Sequence, residues 1–120
     1  MSSRRLLTLK NVPHRIKLAF WRAPTPKTNV DRLWREVAAR AVLDALGHTG
    51  IGQATRHNRL VMWTRLWFRH TDKFILSQEQ TGDDELLKDT HGVEDVFEFA
   101  DIDLPPVREE VLNMKDAYKD

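Results

Sequence analysis

The sequence has no cysteine, and this absence removes several kinds of chemistry at once. Disulfide bonds, cysteine nucleophiles and zinc sites with thiolate ligands are all excluded. No apolar run approaches the ~20 residues that a membrane-spanning helix needs, so we predict no membrane span. Serine is scarce, and the five histidines are scattered, without the spacing of a zinc-protease motif. We therefore expect a protein that is not an enzyme and that holds no metal and no cofactor.

The rest of the composition is that of one folded domain. Of its 120 residues, 41% are hydrophobic and 31% are charged, a balance that is typical of globular rather than disordered chains. A chain of this length can bury a hydrophobic core without disulfides or metals. The formal net charge is only +1, so the distribution of charge is more informative than its sum.

Charge is distributed unevenly along the chain. Residues 1–30 contain no acid, whereas acids far outnumber bases in residues 83–120. The basic residues of the first segment are Arg4, Arg5, Lys10, Arg15, Lys17, Arg22 and Lys27. We interpret residues 1–29 as a basic N-terminal arm with a proline-containing linker, followed by a helical domain over residues 30–120. Such an asymmetry suggests either an arm that seeks a polyanion or two halves that complement each other.

The arm needs something to hold it, because terminal segments are usually poorly ordered unless they are tied down. Pro13 interrupts any single amphipathic helix in this segment. The acidic end of the chain, a second copy, nucleic acid or a different protein could each provide the contact. We favour an external partner.

Two amphipathic helices are predicted after the linker. Apolar residues follow the helical period over Val30–Leu46, with Thr28 or Asn29 as the N-cap and Gly47 just after the end. A second helix is predicted from about residue 53 or 55 to residue 69. Its surface is predicted to be basic, since its remaining positions are Arg56, Arg59, Arg65 and Arg69.

The four tryptophans have two interpretations. Exposed tryptophan can stack on nucleic-acid bases, whereas buried tryptophan contributes a large apolar area to a core. Trp34, Trp63 and Trp67 occupy core-facing positions of the two predicted helices, so we favour core packing for these three.

Residues 93–114 are predicted to form a helix, a tight turn and a second helix. The apolar positions of a helix-turn-helix are matched by Val96, Ala100, Ile102 and Val107. Phe97 and Asp101 depart from the motif, where a small residue and a glycine are usual. An αα-hairpin that only packs the domain is the alternative. We do not expect the second helix to read DNA bases, because it exposes Glu109 and Glu110 to a polyanion.

These elements predict a mostly α fold. We expect one small helical domain of three to five helices, with a C-terminal αα-hairpin and a basic N-terminal arm. Lys73–Ser77 could form one short strand, but a lone strand has no partner and does not change the fold class.

Three stretches carry a resemblance to a known group of proteins. A tryptophan helix with Trp34 continues into Ala41–Ala45, a second contains Thr64–Phe68, and Phe97–Asp103 opens the C-terminal hairpin. On these residues the chain resembles small helical proteins encoded in phage and prophage genomes, over roughly residues 30–112. The resemblance implies a helical fold that ends in a helix-turn-helix-like hairpin. It also implies a location in the host cytoplasm or in the virion.

Two classes of function are expected. In the first, the protein is a non-enzymatic, nucleic-acid-associated or transcription-regulating protein of phage type. Its phosphate contacts would come from the basic arm and the second predicted helix, that is from Arg4, Arg5, Lys10, Arg15, Lys17, Arg22, Lys27, Arg56, Arg59, Arg65 and Arg69. In the second, it is a structural or adaptor subunit of a larger assembly such as a virion, with the arm docking on a partner protein. A protein partner or a homo-oligomer is expected in both.

Overall fold

The computed structural model describes residues 2–69, 92–115 and 117–119, and these residues form six α-helices and no β-strand. The helices are α1 (Ser2–Thr8), α2 (His14–Arg22), α3 (Asn29–Ala45), α4 (Ala54–Arg69), α5 (Val93–Ala100) and α6 (Leu104–Asn113). The prediction of a mostly α fold is confirmed. There are more helices than the three to five predicted, because residues 2–22 contribute two. The strand predicted at Lys73–Ser77 lies outside the described residues.

Helix α3 is at the centre of the fold. It packs against α1, α4 and α5, and α6 in turn packs against α2 and α4. The C-terminal half of α3 is buried on almost every side, through Ala38, Ala39, Ala41, Val42, Leu43 and Ala45. The many alanines let neighbouring helices approach its backbone closely while leaving few voids.

Both ends of α3 are closed by local hydrogen bonds. The Thr28 hydroxyl oxygen accepts a bond of 3.1 Å from the backbone N–H of Asp31. At the other end, Gly47 adopts a left-handed conformation with φ +93°, and the N–H of His48 donates to the carbonyl of Leu43 at 2.8 Å. This is the Schellman arrangement that favours glycine after the last turn. The predicted N-cap and C-terminal glycine are confirmed.

The N-terminal segment differs from the arm that the sequence predicts. Leu6, Ile16 and Phe20 are buried in the same hydrophobic cluster as α3 and the C-terminal helices. The Ser3 backbone N–H also donates to the Glu36 carboxylate at 3.1 Å. Contacts within the chain therefore hold the segment, whereas the expectation had favoured an external partner for this role.

Local sequence explains why this segment folds. Pro13 cannot continue a helix from α1, but it occupies the N-cap of α2, where its missing N–H costs nothing. The segment thus forms two short helices that are separated by residues 9–13. Each buries one apolar stripe: α1 buries Leu6, and α2 buries Ile16, Ala19 and Phe20.

The α5–turn–α6 segment buries its apolar positions against other helices. Val96, Ala100, Ile102 and Val107 are all buried, in agreement with their predicted inward orientation. Phe97 is also buried and meets the ring of Phe68 edge-on, at 5.8 Å between centroids. Helix α5 packs mainly on α3, whereas α6 packs mainly on α2 and α4.

Asp101 ends α5 in a left-handed conformation, with φ 59° and ψ 43°. This is the position at which a helix-turn-helix usually has glycine. Replacing Asp101 with glycine should raise the stability by about 0.5–1 kcal/mol, because glycine adopts this conformation without the strain of a Cβ. Thermal unfolding would show a higher melting temperature for Asp101→Gly and a lower one for Asp101→Ala. A drop for the glycine variant would mean that the carboxylate itself stabilises the turn.

Candidate nucleic-acid interface

Helix α4 exposes one continuous side, here called the α4 face. It consists of Thr55, Arg59, Met62, Leu66 and Arg69, which recur three or four residues apart and therefore lie along one side of the helix. Thr55, Arg59, Met62 and Arg69 are exposed and Leu66 is half-buried; Met62 is 53% exposed. The α4 face thus presents two arginines with an apolar patch between them.

No acidic residue of α4 balances the positive charge of the α4 face. The sequence of α4 contains no acid. Within the part of the chain that the structure describes, Arg56, Arg59 and Arg69 have no carboxylate within salt-bridge distance. Arg59 and Arg69 lie about 15 Å apart along the helix axis, at the usual rise per residue. Exposed guanidinium groups bind phosphate oxygens well, often in a bidentate manner.

The opposite side of α4 anchors the helix in the core. It buries His57, Val61, Trp63, Thr64, Trp67 and Phe68. The predicted core positions of Trp63 and Trp67 are confirmed. Trp34 is only half-buried and packs against the Phe99 ring at 4.9 Å, while Trp21 is 61% exposed. The rigid anchoring fixes the direction in which the α4 face points.

Arg65 has a different environment from the other arginines of α4. Its Nε donates to the backbone carbonyl of Ala45 at 3.0 Å, and its guanidinium lies 5.4 Å from the centre of the Tyr118 ring. Burial lowers the pKa of Arg65 from its ordinary value, but a guanidinium stays charged at neutral pH. Arg65 therefore joins the C-terminal segment to α4 rather than facing solvent as its neighbours do.

The C-terminal residues are fastened to α4 by side-chain hydrogen bonds. His57 Nε2 lies 2.7 Å from the Ala117 carbonyl, so this nitrogen carries the proton and donates. The other ring nitrogen, Nδ1, then accepts from the Thr49 hydroxyl at 2.7 Å. Asn58 makes two hydrogen bonds with Lys119, both of 2.7 Å. Asn58 Nδ2 donates to the Lys119 carbonyl, and Asn58 Oδ1 accepts from the Lys119 backbone N–H. The backbone is thus fixed on both sides of Tyr118.

The predicted site residues of the N-terminal segment belong to α1, α2 and the residues after them, and not to α4. Arg4, Arg5 and Lys10 are exposed on and after α1, and Lys17 is half-buried on α2. Arg15 lies 3.3 Å from both Glu109 and Glu110 of α6, and the first of these carboxylates raises its pKa most. The chain's own acidic end therefore neutralises Arg15.

Arg22 and Lys27 border acidic grooves. Arg22 lines a groove of about 370 Å³ together with Asp101 and Asp103. Lys27 lines a second groove of about 350 Å³, which also contains Asp31 and Asp101. Phosphate groups would meet carboxylates there, so these two cations are poorly placed for a nucleic-acid contact.

Arg5 acts at the end of α3. The pKa of His48, just after α3, is lowered first by burial and then by the charge of Arg5. Arg5 therefore lies close enough to the α3–α4 connection for its field to be felt there. Of the N-terminal cations, it is the one that this electrostatic effect connects with the end of the molecule where α4 begins.

The sequence did not predict Tyr118 as a candidate, nor the hydrogen bonds that hold the residues on either side of it. Nothing in the local sequence Lys115–Lys119 distinguishes this tyrosine, and its neighbours on α4 are about 60 residues away in the chain. Within the described ranges, no cluster of histidine, aspartate and glutamate could hold a metal ion, and no helix is long and apolar enough to cross a membrane.

Comparisons with known proteins returned no match, whether with protein families, curated proteins or solved structures. The resemblance to phage-encoded helical proteins therefore stays an expectation.

Proposed function

We propose that the protein binds nucleic acid through the α4 face, with Arg59 and Arg69 contacting phosphates. The observation that carries the proposal is a helix with four arginines and no acid, in which none of the arginines has a carboxylate partner among the described residues and three of them are exposed. Uncompensated arginines on one side of a helix attract a polyanion and release its counterions. Such a protein would be nucleic-acid-associated or transcription-regulating, of the kind that the phage resemblance implies, and would need no catalytic group.

The proposal differs from the sequence expectation in where the contact lies. Helix α4 replaces the N-terminal segment as the main phosphate-binding element, because Arg15, Arg22 and Lys27 have acidic neighbours. Helix α6 is also unsuited to phosphate binding. Its residues Glu109 and Glu110, which pair with Arg15 of α2, would repel phosphates.

A second function, that of an adaptor subunit, is favoured by a different surface. Val30 and Leu33 are exposed on the first turns of α3, and Phe99 is exposed beside Trp34. Exposed apolar groups that lie close together are typical of protein–protein contacts. A contact of this kind would depend little on salt, whereas phosphate binding weakens steeply as salt rises.

Removing two arginines of the α4 face tests the nucleic-acid function. Arg59→Ala combined with Arg69→Ala should weaken binding to a labelled oligonucleotide roughly 100-fold or more, since each of the two charge-assisted hydrogen bonds contributes about 1.5 kcal/mol or more. The salt dependence should also become shallower, by about 0.9 in the log–log slope for each phosphate that is no longer neutralised. Fluorescence anisotropy at several salt concentrations measures both quantities.

The matched control also removes two positive charges, but from the end of α2 and the linker that follows it. Arg22→Ala combined with Lys27→Ala should leave affinity and slope almost unchanged, because both residues border acidic grooves. If this control weakens binding as much as the α4 variant, net charge and not the α4 face determines binding. If the unaltered protein binds no oligonucleotide even at low salt, the nucleic-acid function is wrong and the adaptor function remains.

A further inference from the structure

We infer that the nucleic acid bound at α4 is single-stranded and that Tyr118 stacks on one of its bases. This inference rests on the proposed function and specifies its substrate class. Tyr118 is 47% exposed, although the backbone on both sides of it is fixed. Aromatic rings beside a positively charged surface are the usual platform for unpaired bases, since every base offers a face to stack on.

The position of the ring is set before any ligand arrives. His57 bonds the Ala117 carbonyl, and Asn58 bonds Lys119 in both directions. Lys119 Nζ also donates to the Ile51 carbonyl at 2.7 Å. Four hydrogen bonds thus hold the three residues Ala117–Lys119 against the start of α4 and the loop before it. A pre-organised aromatic group binds more tightly than a mobile one, because less conformational freedom is lost on binding.

Arg65 adds to the suitability of the ring as a stacking surface. Its guanidinium lies 5.4 Å from the ring centre, and Arg65 Nη2 is buried without a hydrogen-bond partner among the described residues. The ring is therefore supported by a cation, itself held by the Ala45 carbonyl. A base that stacked on the exposed part of the ring would extend this arrangement by one layer.

The surrounding charges suit a strand whose bases are accessible. The segment Lys115–Asp120 carries two lysines and two aspartates and is neutral overall. The positive charge that attracts the phosphates of the nucleic acid must therefore come from α4, and the segment Lys115–Asp120 contributes the Tyr118 ring. In a duplex the base faces are already stacked on one another, so Tyr118 could contribute little there.

The test compares single strands with a duplex. An oligothymidine and an oligouridine of about 12 nucleotides, within the usual ~4–16-nucleotide range of small single-strand sites, serve as probes. Tyr118→Ala should weaken binding of one or both roughly 5- to 150-fold, the range expected when one base no longer stacks on an aromatic ring. Binding of a duplex of the same length should change less than about twofold. The difference between the two single strands shows whether DNA or RNA fits better.

Two conservative variants separate stacking from the other roles of the side chain. Tyr118→Phe should bind like the unaltered protein, since the ring and not the hydroxyl makes the contact. Tyr118→Leu keeps an apolar side chain and should bind as weakly as the alanine variant. Equal thermal stability of Tyr118→Leu and the unaltered protein would show that the weakening does not come from the fold.

The possible failures of the inference and of the proposed function are distinguishable. If Tyr118→Ala leaves single-strand binding unchanged while the Arg59 and Arg69 double variant abolishes it, the stacking inference is wrong and phosphate binding at α4 stands. If Tyr118→Ala weakens single strand and duplex equally, the inference is also wrong. If the unaltered protein binds neither, the proposed function itself has failed.

Discussion

Replacing Trp67 with alanine should lower the free energy of unfolding by about 3–5 kcal/mol, the largest loss that we expect from any single side-chain truncation here. Trp67 is completely buried, and its ring meets that of Phe68 edge-on at 5.3 Å. Alanine would leave a cavity between α4 and its neighbours that the surrounding helices can fill only partly. Because a domain of this size has a total stability of only ~5–15 kcal/mol, the variant would be close to unfolding.

The other tryptophans provide graded controls. Trp34→Ala should cost less, since Trp34 is only half-buried, and Trp21→Ala should change stability by no more than about 0.5 kcal/mol because Trp21 is 61% exposed. Urea denaturation followed by circular dichroism gives all three values without relying on tryptophan fluorescence. An equal loss for all three variants would contradict the burial order on which the prediction is based.

Replacing Gly47 with alanine should cost about 2–5 kcal/mol, although the change adds only one methyl group. Two effects combine at this position. The residue has φ +93°, which an L side chain adopts only with strain. An added Cβ would also lie 2.7 Å from the Ala117 carbonyl oxygen and 2.9 Å from its Cα, and both are backbone atoms that cannot move away independently. Chemical denaturation of Gly47→Ala measures the combined loss.

Gly50 and Gly52 separate the two effects. Gly50 has φ +76° with no atom near an added Cβ, so Gly50→Ala should show the backbone strain alone, roughly 1–2 kcal/mol. Gly52 has neither feature, so Gly52→Ala should be nearly neutral. The difference between the first two variants measures how closely the C-terminal segment approaches the end of α3. A Gly47 variant no worse than the Gly50 variant would show that this segment yields readily.

The sequence predicted the elements whose causes are local. Thr28 and Gly47 marked the ends of α3, since capping depends on residue types a few positions apart. The helical period likewise predicted α4 and the basic character of its exposed side. For these elements the rules of helix formation and the tertiary structure agree.

What the sequence could not predict depends on contacts between distant residues. The N-terminal segment looked like an arm because its charge was read without the carboxylates of Glu109 and Glu110, which are about 95 residues away from Arg15. Tyr118 likewise became a candidate only when the fold placed it on Arg65. A sequence shows where charged residues occur along the chain, but it does not show which distant residue neutralises a given charge.

The pairing of α2 with α6 has a consequence for synthesis on the ribosome. Helix α2 packs mainly against α6, which begins only at Leu104. While the polypeptide is still being made, Ile16 and Phe20 therefore emerge long before the surface that will bury them. We expect nascent chains that stop short of α6 to expose this apolar stripe, and therefore to be prone to aggregation.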